Sequence, residues 1–378
     1  MTTKNTASNP FSILSYMGPE YFCDRKKETE ELRNALHNGR NVTLFSPRKM
    51  GKTGLIQHLF GQIMPEKVQC FYVDIYHTKN IYDFTKAFAE AVLTQRVAPF
   101  FERMGKEIMQ FFGSIRPVFS PDPITGTIQC TVDIQPQHEE VTLQQIFAYL
   151  EQLKQPCYVA FDEFQEIAEF PEGKAEATLR TYIQHLKNVH FIFAGSKKHI
   201  MAQMFLSPNR PFFQSTQLMS IDAIDEEAYY EFAAHHFSVH NQQIKREVFH
   251  ELYHLVDGHT WYMQALLNRI YQNGAPSVSY DDIRIALNQW VEENTPAYNM
   301  YCRLITDRQL AVMRAVAKEG VVSEPGSSTF LQKYQLGAYS TVRSAMLALE
   351  EKELIYRDEE GRYSIYDRFF CIWLQRMY

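Results

Sequence analysis

Ser46-Pro47-Arg48-Lys49-Met50-Gly51-Lys52-Thr53 ends in Gly-Lys-Thr, the pattern of a loop that cradles a phosphate chain. Phosphate oxygens carry charge that must be met as water leaves. Backbone N–H groups of such a loop, and the positive end of the helix after it, meet that charge. Residues Ser46 to Gly54 would then hold the phosphates, with Lys52 reaching the β/γ positions and the Thr53 hydroxyl holding Mg²⁺. Ser46 stands where the pattern usually has its first glycine, a position expected to need backbone freedom. A second chemical element, Asp162-Glu163, closes the run Cys157-Tyr158-Val159-Ala160-Phe161. Asp162 is a candidate metal ligand, directly or through water, and Glu163 a candidate base for an attacking water. The competing reading makes the pair a helix-capping acid and a solvated neighbour. Ser196, after Val189 to Gly195, is placed to touch the γ-phosphate or orient the water; Lys197 is its rival, and an ordinary strand-end turn is the alternative. Arg210 lies in the loop Ser207 to Phe213, either as an arginine finger on the transferred phosphate or as an exposed arginine.

These residues work only if the elements between them bring them together. Asn41 to Phe45 reads as a strand, Gly54 to Phe60 as a helix, Gln69 to Tyr76 as a second strand and residues 81–95 as a second helix. The order β-α-β-α predicts a parallel sheet. Cys157 to Asp162 is a continuous apolar run, as suits a strand buried on both faces, and its carboxyl end is where open α/β sheets place ligands. The expected class is α/β, a P-loop NTPase core over residues 1–215 with a β-hairpin inserted at about 112–136. Residues 1–10 read as a disordered lead, and Asp24 as the cap of a helix over 26–36. Tyr21-Phe22 before it is either a hydrophobic staple or a surface for an adenine ring.

From Asp225 the pattern turns helical, at 225–237, 245–255, 260–272 and 280–291, which predicts a helical lid over 216–295. His235, His236 and His240 lie close together, read as a solvated helix end in preference to a metal site. Asn294-Thr295-Pro296 marks the boundary to the next unit. Residues 296–378 read as helix-turn-helix plus hairpin, a winged helix. Residues 307–378 carry ten Lys/Arg and ten Asp/Glu, and the second helix ends Glu350-Glu351-Lys352-Glu353. Phosphate neutralisation needs several cations on one face, so a protein-contacting or autoinhibitory role is favoured there and DNA stays open.

With 378 residues the chain calls for two or three domains. Its 45% hydrophobic and 22% charged residues are an ordinary globular balance, and the 14% aromatics imply well-filled cores. A net charge of −6 excludes a global basic field for nucleic acid. The six cysteines are dispersed without a Cys-x-x-Cys pair, which excludes a metal knuckle or disulfide framework and implies buried thiols. No apolar leader or membrane-length run is present, so a cytoplasmic location is expected.

Phe45 to Thr53, Ala160-Phe161-Asp162-Glu163-Phe164-Gln165, Phe193-Ala194-Gly195-Ser196 and the ending Tyr363 to Phe370 carry a family likeness. The chain resembles the archaeal-type ATPases of the AAA+/STAND branch of P-loop NTPases, found in archaea and in Bacteroides-like bacteria, with a C-terminal winged helix. The resemblance implies ATP and ADP as ligands, Mg²⁺ as cofactor, and the roles given above for Lys52, Thr53, Asp162 and Glu163. It also implies that Asp257-Gly258-His259-Thr260, similar to a lid Gly-x-Pro motif with Thr260 in place of proline, puts His259 where bound nucleotide is sensed. The expected function is a slow Mg²⁺-dependent ATPase that moves its lid and winged helix for a protein partner. The rivals are a nucleotide-gated DNA-binding regulator and a scaffold that holds ATP without turnover.

Overall fold

The apolar runs pair as one parallel sheet in a computed structural model, which describes residues 9–97, 115–121, 128–135, 138–358 and 360–377. In chain order the strands are β1 (Val42–Phe45), β2 (Gln69–Asp74), β3 (Ile115–Pro121), β4 (Ile128–Ile134), β5 (Cys157–Asp162), β6 (Val189–Gly195) and β7 (Gln217–Ser220). The sheet runs β2-β5-β6-β1-β7, and every neighbouring pair is parallel. β5 is buried at every residue, while β2 and β7 at the edges each include half-buried and exposed residues. A continuous apolar run suits the centre of the sheet because helices cover both faces.

Successive side chains divide between those faces. Tyr158, Ala160, Ile192 and Ala194 pack with helices α1 (Lys26–His37) and α2 (Lys52–Ile63). Val159, Phe161, Phe191 and Phe193 pack on the other side with α3 (Ile81–Val97), α4 (Glu139–Gln152), α5 (Ala175–Ile183) and α6 (Lys198–Leu206). Phe161 stacks within 4° of parallel on Phe191, and Phe164, Phe205 and Phe212 continue the aromatic core. This accounts for the high aromatic content.

Two features depart from the pattern read along the chain. β7 was not legible: only Met219 of its four residues is buried, leaving almost no apolar signal. Asp24 does not cap α1; the N-cap is Arg25, left-handed at φ 59 and making no side-chain cap bond. Phe22 stacks on His58 of α2 at 4.2 Å and packs against the core cluster that includes Leu32, Ala35 and Leu36 of α1. The inserted hairpin is present as β3 paired antiparallel with β4, separate from the main sheet. Val132 and Ile134 of β4 join the aromatic core, and Glu90 of α3 accepts the Val132 N–H at 2.9 Å. Residues 122–127 of its turn, and 1–8 of the lead, lie outside the described residues.

The chain falls into two units, Ser12–Phe232 with His259–Trp261, and the remaining described residues. Helices α7 (Glu226–Val239), α8 (Arg246–Leu255), α9 (Thr260–Asn273) and α10 (Tyr280–Arg303) follow the sheet, with short strands β8 (Gln243–Ile244) and β9 (Ser277–Val278) between them. Then come α11 (Asp307–Glu319), α12 (Ser328–Lys333), α13 (Tyr339–Glu351), the hairpin β10 (Ile355–Arg357) and β11 (Tyr363–Ile365), and α14 (Arg368–Met377). Helix α10 starts with a capping box between Ser279 and Asp282 and runs on through Asn294-Thr295-Pro296. Of the histidine cluster, His240 pairs with the Tyr271 hydroxyl and His235 is exposed. Cys23, Cys70, Cys157 and Cys371 are buried free thiols. Among the described residues no helix is long and apolar enough to cross a membrane.

Candidate nucleotide site

The carboxyl ends of β1, β5 and β6 are adjacent in the sheet, so the loops that leave them converge. The β1 loop turns into α2 through two left-handed residues, Lys49 at φ 62 and Gly51 at φ 96. Ser46 is not left-handed, so the serine costs nothing in backbone strain there. It is 1% exposed, and its hydroxyl donates to the Pro47 carbonyl. Lys52, 5% exposed, opens α2 with its ammonium donating to the carbonyls of Ser46 (3.1 Å) and Pro47 (3.2 Å). Burial lowers its pKa from the ordinary lysine value, and the charges of Glu163 and Asp162 oppose that shift.

Asp162 ends β5 almost fully buried, and Thr53 donates its hydroxyl to Asp162 Oδ2 at 2.6 Å. Tyr72 of β2 donates to the same oxygen at 2.7 Å. Burial and the Asp162 charge keep that phenol protonated far above its ordinary range. Glu163 sits in the left-handed region at φ 58, and its Oε2 accepts from Ser196 Oγ and from Gln165 Nε2, both at 2.6 Å. Gln165 is fully buried, and its Oε1 accepts the Ser196 N–H at 3.3 Å. This proximity requires glycine before Ser196: a Cβ on Gly195 would meet Gln165 Oε1 at 2.6 Å and Met201 Sδ at 2.5 Å.

Thr53, Asp162, Glu163 and Ser196 are thus joined in one cluster beside the Lys52 loop. The rival Lys197 instead pairs with Glu166 at 3.6 Å. Arg210 is held elsewhere, by an ion pair with the partly buried Glu176 of α5. His259 faces the phosphate loop from outside, its Nε2 3.1 Å from the Arg48 carbonyl. A carbonyl only accepts, so Nε2 carries the proton. Thr260 Oγ1 donates to the Met50 carbonyl at 3.4 Å, and the Lys49 ammonium lies 3.6 Å over the Trp261 ring. Gly54 lies against Phe22: a Cβ there would be 3.5 Å from that ring.

Sequence reasoning missed Tyr72, Gln165, Arg25 and Trp261. Arg25 is 4% exposed and donates to the Met50 carbonyl at 3.2 Å and to Glu28 at 2.8 Å, tying the loop to α1. Gln165 had a signal, two residues beyond Glu163. The other three had none, because the groups they meet at the site, Asp162 for Tyr72, the Met50 carbonyl for Arg25 and Lys49 for Trp261, lie far along the chain.

The strand order, the phosphate loop between β1 and α2, and the acidic end of β5 define the P-loop AAA+ fold. Residues 296–376 match a family model described as a probable winged helix domain. No curated protein matches the sequence. Among solved structures, a Walker-type ATPase of Pyrococcus abyssi is similar over 97% of this chain and 99% of its own, with TM-score 0.66 and 16% identity. The Aeropyrum pernix ORC2 protein, solved as ADPNP and ADP complexes, is similar over 98% of each chain with TM-score 0.59 and 16% identity. The A. pernix ORC1 protein, solved in complex with DNA, matches over 98% of this chain and 96% of that one, with TM-score 0.53 and 15% identity.

Proposed function

We propose that this chain is a Mg²⁺-dependent ATP-binding protein that hydrolyses ATP slowly, its nucleotide state governing a helical lid (216–295) and a winged-helix segment (296–378). The observation that carries this reading is the hydrogen-bonded cluster of Thr53, Asp162, Glu163 and Ser196 beside the Lys52 loop. The donor set fits a magnesium-bound triphosphate. Thr53 and Asp162 place two hard oxygens together, as Mg²⁺ prefers, and Lys52 is a buried cation bonded to neutral oxygens of its own loop. Ser46 to Gly54 would hold the phosphates through their N–H groups. Mg²⁺, when bound, supplies charge neutralisation at the phosphate oxygens.

Glu163 then accepts the proton of the attacking water, Ser196 and Gln165 orient its carboxylate, and Lys52 stabilises developing charge. His259 would sense the loop through its bond to the Arg48 carbonyl. Arg210 would act as a finger only after leaving Glu176. The choice of ATP is supported by the ADPNP and ADP complexes of the similar ORC2 protein. The ORC1 complex with DNA supports a second reading, nucleotide-gated DNA contact through the winged helix, against which the even charge of that segment weighs. A protein partner is the favoured alternative.

Phosphate release from ATP by the wild type beside Glu163→Gln, with and without duplex DNA, tests the reading. The variant is expected to bind MgATP normally and to lose at least about a hundredfold in turnover. Undiminished turnover removes Glu163 from the role. No turnover in either protein, with tight MgATP binding, favours the scaffold. Stimulation by duplex favours the DNA regulator.

A further inference from the structure

Helix α13 presents a stripe at helical spacing, Tyr339, Val342, Arg343, Met346 and Leu347, to a groove of about 440 Å³. The opposite wall is the hairpin, with Arg357 of β10 and Tyr363 of β11. Val342 and Met346 are buried and form its floor, whereas Leu347 is 57% and Tyr339 51% exposed, large apolar surfaces at the rim. The Tyr339 ring is held by a tight contact: a Cβ on Gly326 would lie 2.5 Å from it, so the ring rests directly on backbone. Arg357 is preset by its own hairpin, its guanidinium 5.4 Å from the Tyr363 ring centroid and donating to the Gly361 carbonyl at 3.2 Å. Arg343 is exposed and makes no ion pair among the described residues.

The geometry points to a docking groove for a short peptide segment of a protein partner, one that pairs an apolar or aromatic anchor with a carboxylate. Charge selects this occupant. Two guanidinium groups stand over an apolar floor, which suits one carboxylate beside one buried side chain. A polyanion is disfavoured, because Glu350 and Glu351 close the helix and Glu353 follows it, while at the hairpin tip Asp358 and Glu360 outnumber the Arg362 with which both pair. A duplex lying along the groove would bring successive phosphates against those acids. The inference does not depend on nucleotide hydrolysis and holds or fails independently of it.

The test pans a random-peptide phage library on the full-length protein, with counter-selection on the Leu347→Asp variant. Selected sequences are synthesised with a fluorescent label and titrated against wild type, Leu347→Asp and Arg343→Glu. Both substitutions are at exposed positions, and unchanged circular dichroism and Tm verify their folding. Peptides combining leucine or an aromatic residue with aspartate or glutamate are expected to survive counter-selection, and Arg343→Glu is expected to weaken them by about tenfold or more. Survivors without acidic bias, or none, overturn the proposal. So does binding of a short DNA duplex that falls with Arg343→Glu.

Discussion

Burial strips water from the Lys52 ammonium and from His259, and the two respond according to their partners. Asp162 and Glu163 support the charge on Lys52, whereas His259 faces the positive charges of Lys49 and Lys52. Burial, aided by those charges, lowers the His259 pKa from 6.5 to about 4, so the ring holds the Arg48 carbonyl as a neutral donor. The unfolded chain takes up this proton near pH 6.5, whereas the folded chain resists it until about 4. The contribution is therefore complete above 6.5 and is lost as pH falls towards 4. A His259→Gln protein, which keeps an N–H donor, should lose less stability than wild type across that interval in urea unfolding. Equal slopes would place the wild-type pH dependence elsewhere.

At the scale of elements, helix α10 shows packing prevailing over a local breaker. Pro296 lacks the N–H that would bond the Glu292 carbonyl, and a proline at an interior position costs up to about 3 kcal/mol. Here residue 296 is exposed, so water can meet that carbonyl. Helix α14 lies along the remainder, with Phe369 on Trp290 (5.1 Å), Phe370 on Tyr298 (5.2 Å) and the Trp373 indole N–H donating to Thr295 Oγ1 (3.1 Å). Thr295 also donates back to the Val291 carbonyl at 2.8 Å, one residue before the carbonyl that Pro296 leaves without its helical partner. Pro296→Ala should stabilise by about 1 kcal/mol, the helix gain less the greater entropy of the unfolded chain. A lower Tm instead would mean that the aromatic packing needs a bend at the proline.

For the whole molecule, ligand binding is read as linkage. A ligand that binds only the folded protein stabilises it by about 2.7 kcal/mol at a hundredfold excess over Kd. Saturating MgATP should raise the Tm of wild type and leave that of Lys52→Ala nearly unchanged. An equal rise in both would locate the nucleotide away from the phosphate loop. The charge balance of the winged-helix segment also belongs to this scale. Ten basic and ten acidic residues over 307–378 leave no summed field to draw in a duplex, so any partner is selected by local shape and charge.

Much of this was determined by local pattern. The phosphate loop, the apolar run into Asp162-Glu163, Ser196 after β6, the inserted hairpin and the helix-turn-helix with its wing all follow from periodicity, turn residues and loop chemistry within short windows. The tertiary structure decided the pairings. Tyr72 reaches Asp162 only because the β2–β5 register brings those strands side by side, and Arg25 reaches the Met50 carbonyl only because α1 folds against the loop. Arg210 was an open choice along the chain and is engaged with Glu176 in the fold. β7 joins the sheet through its hydrogen bonds to β1 with a single buried side chain. Backbone propensity acts over a few residues and is written locally; a side-chain hydrogen bond between groups ninety residues apart, as between Tyr72 and Asp162, exists only once the strands have packed.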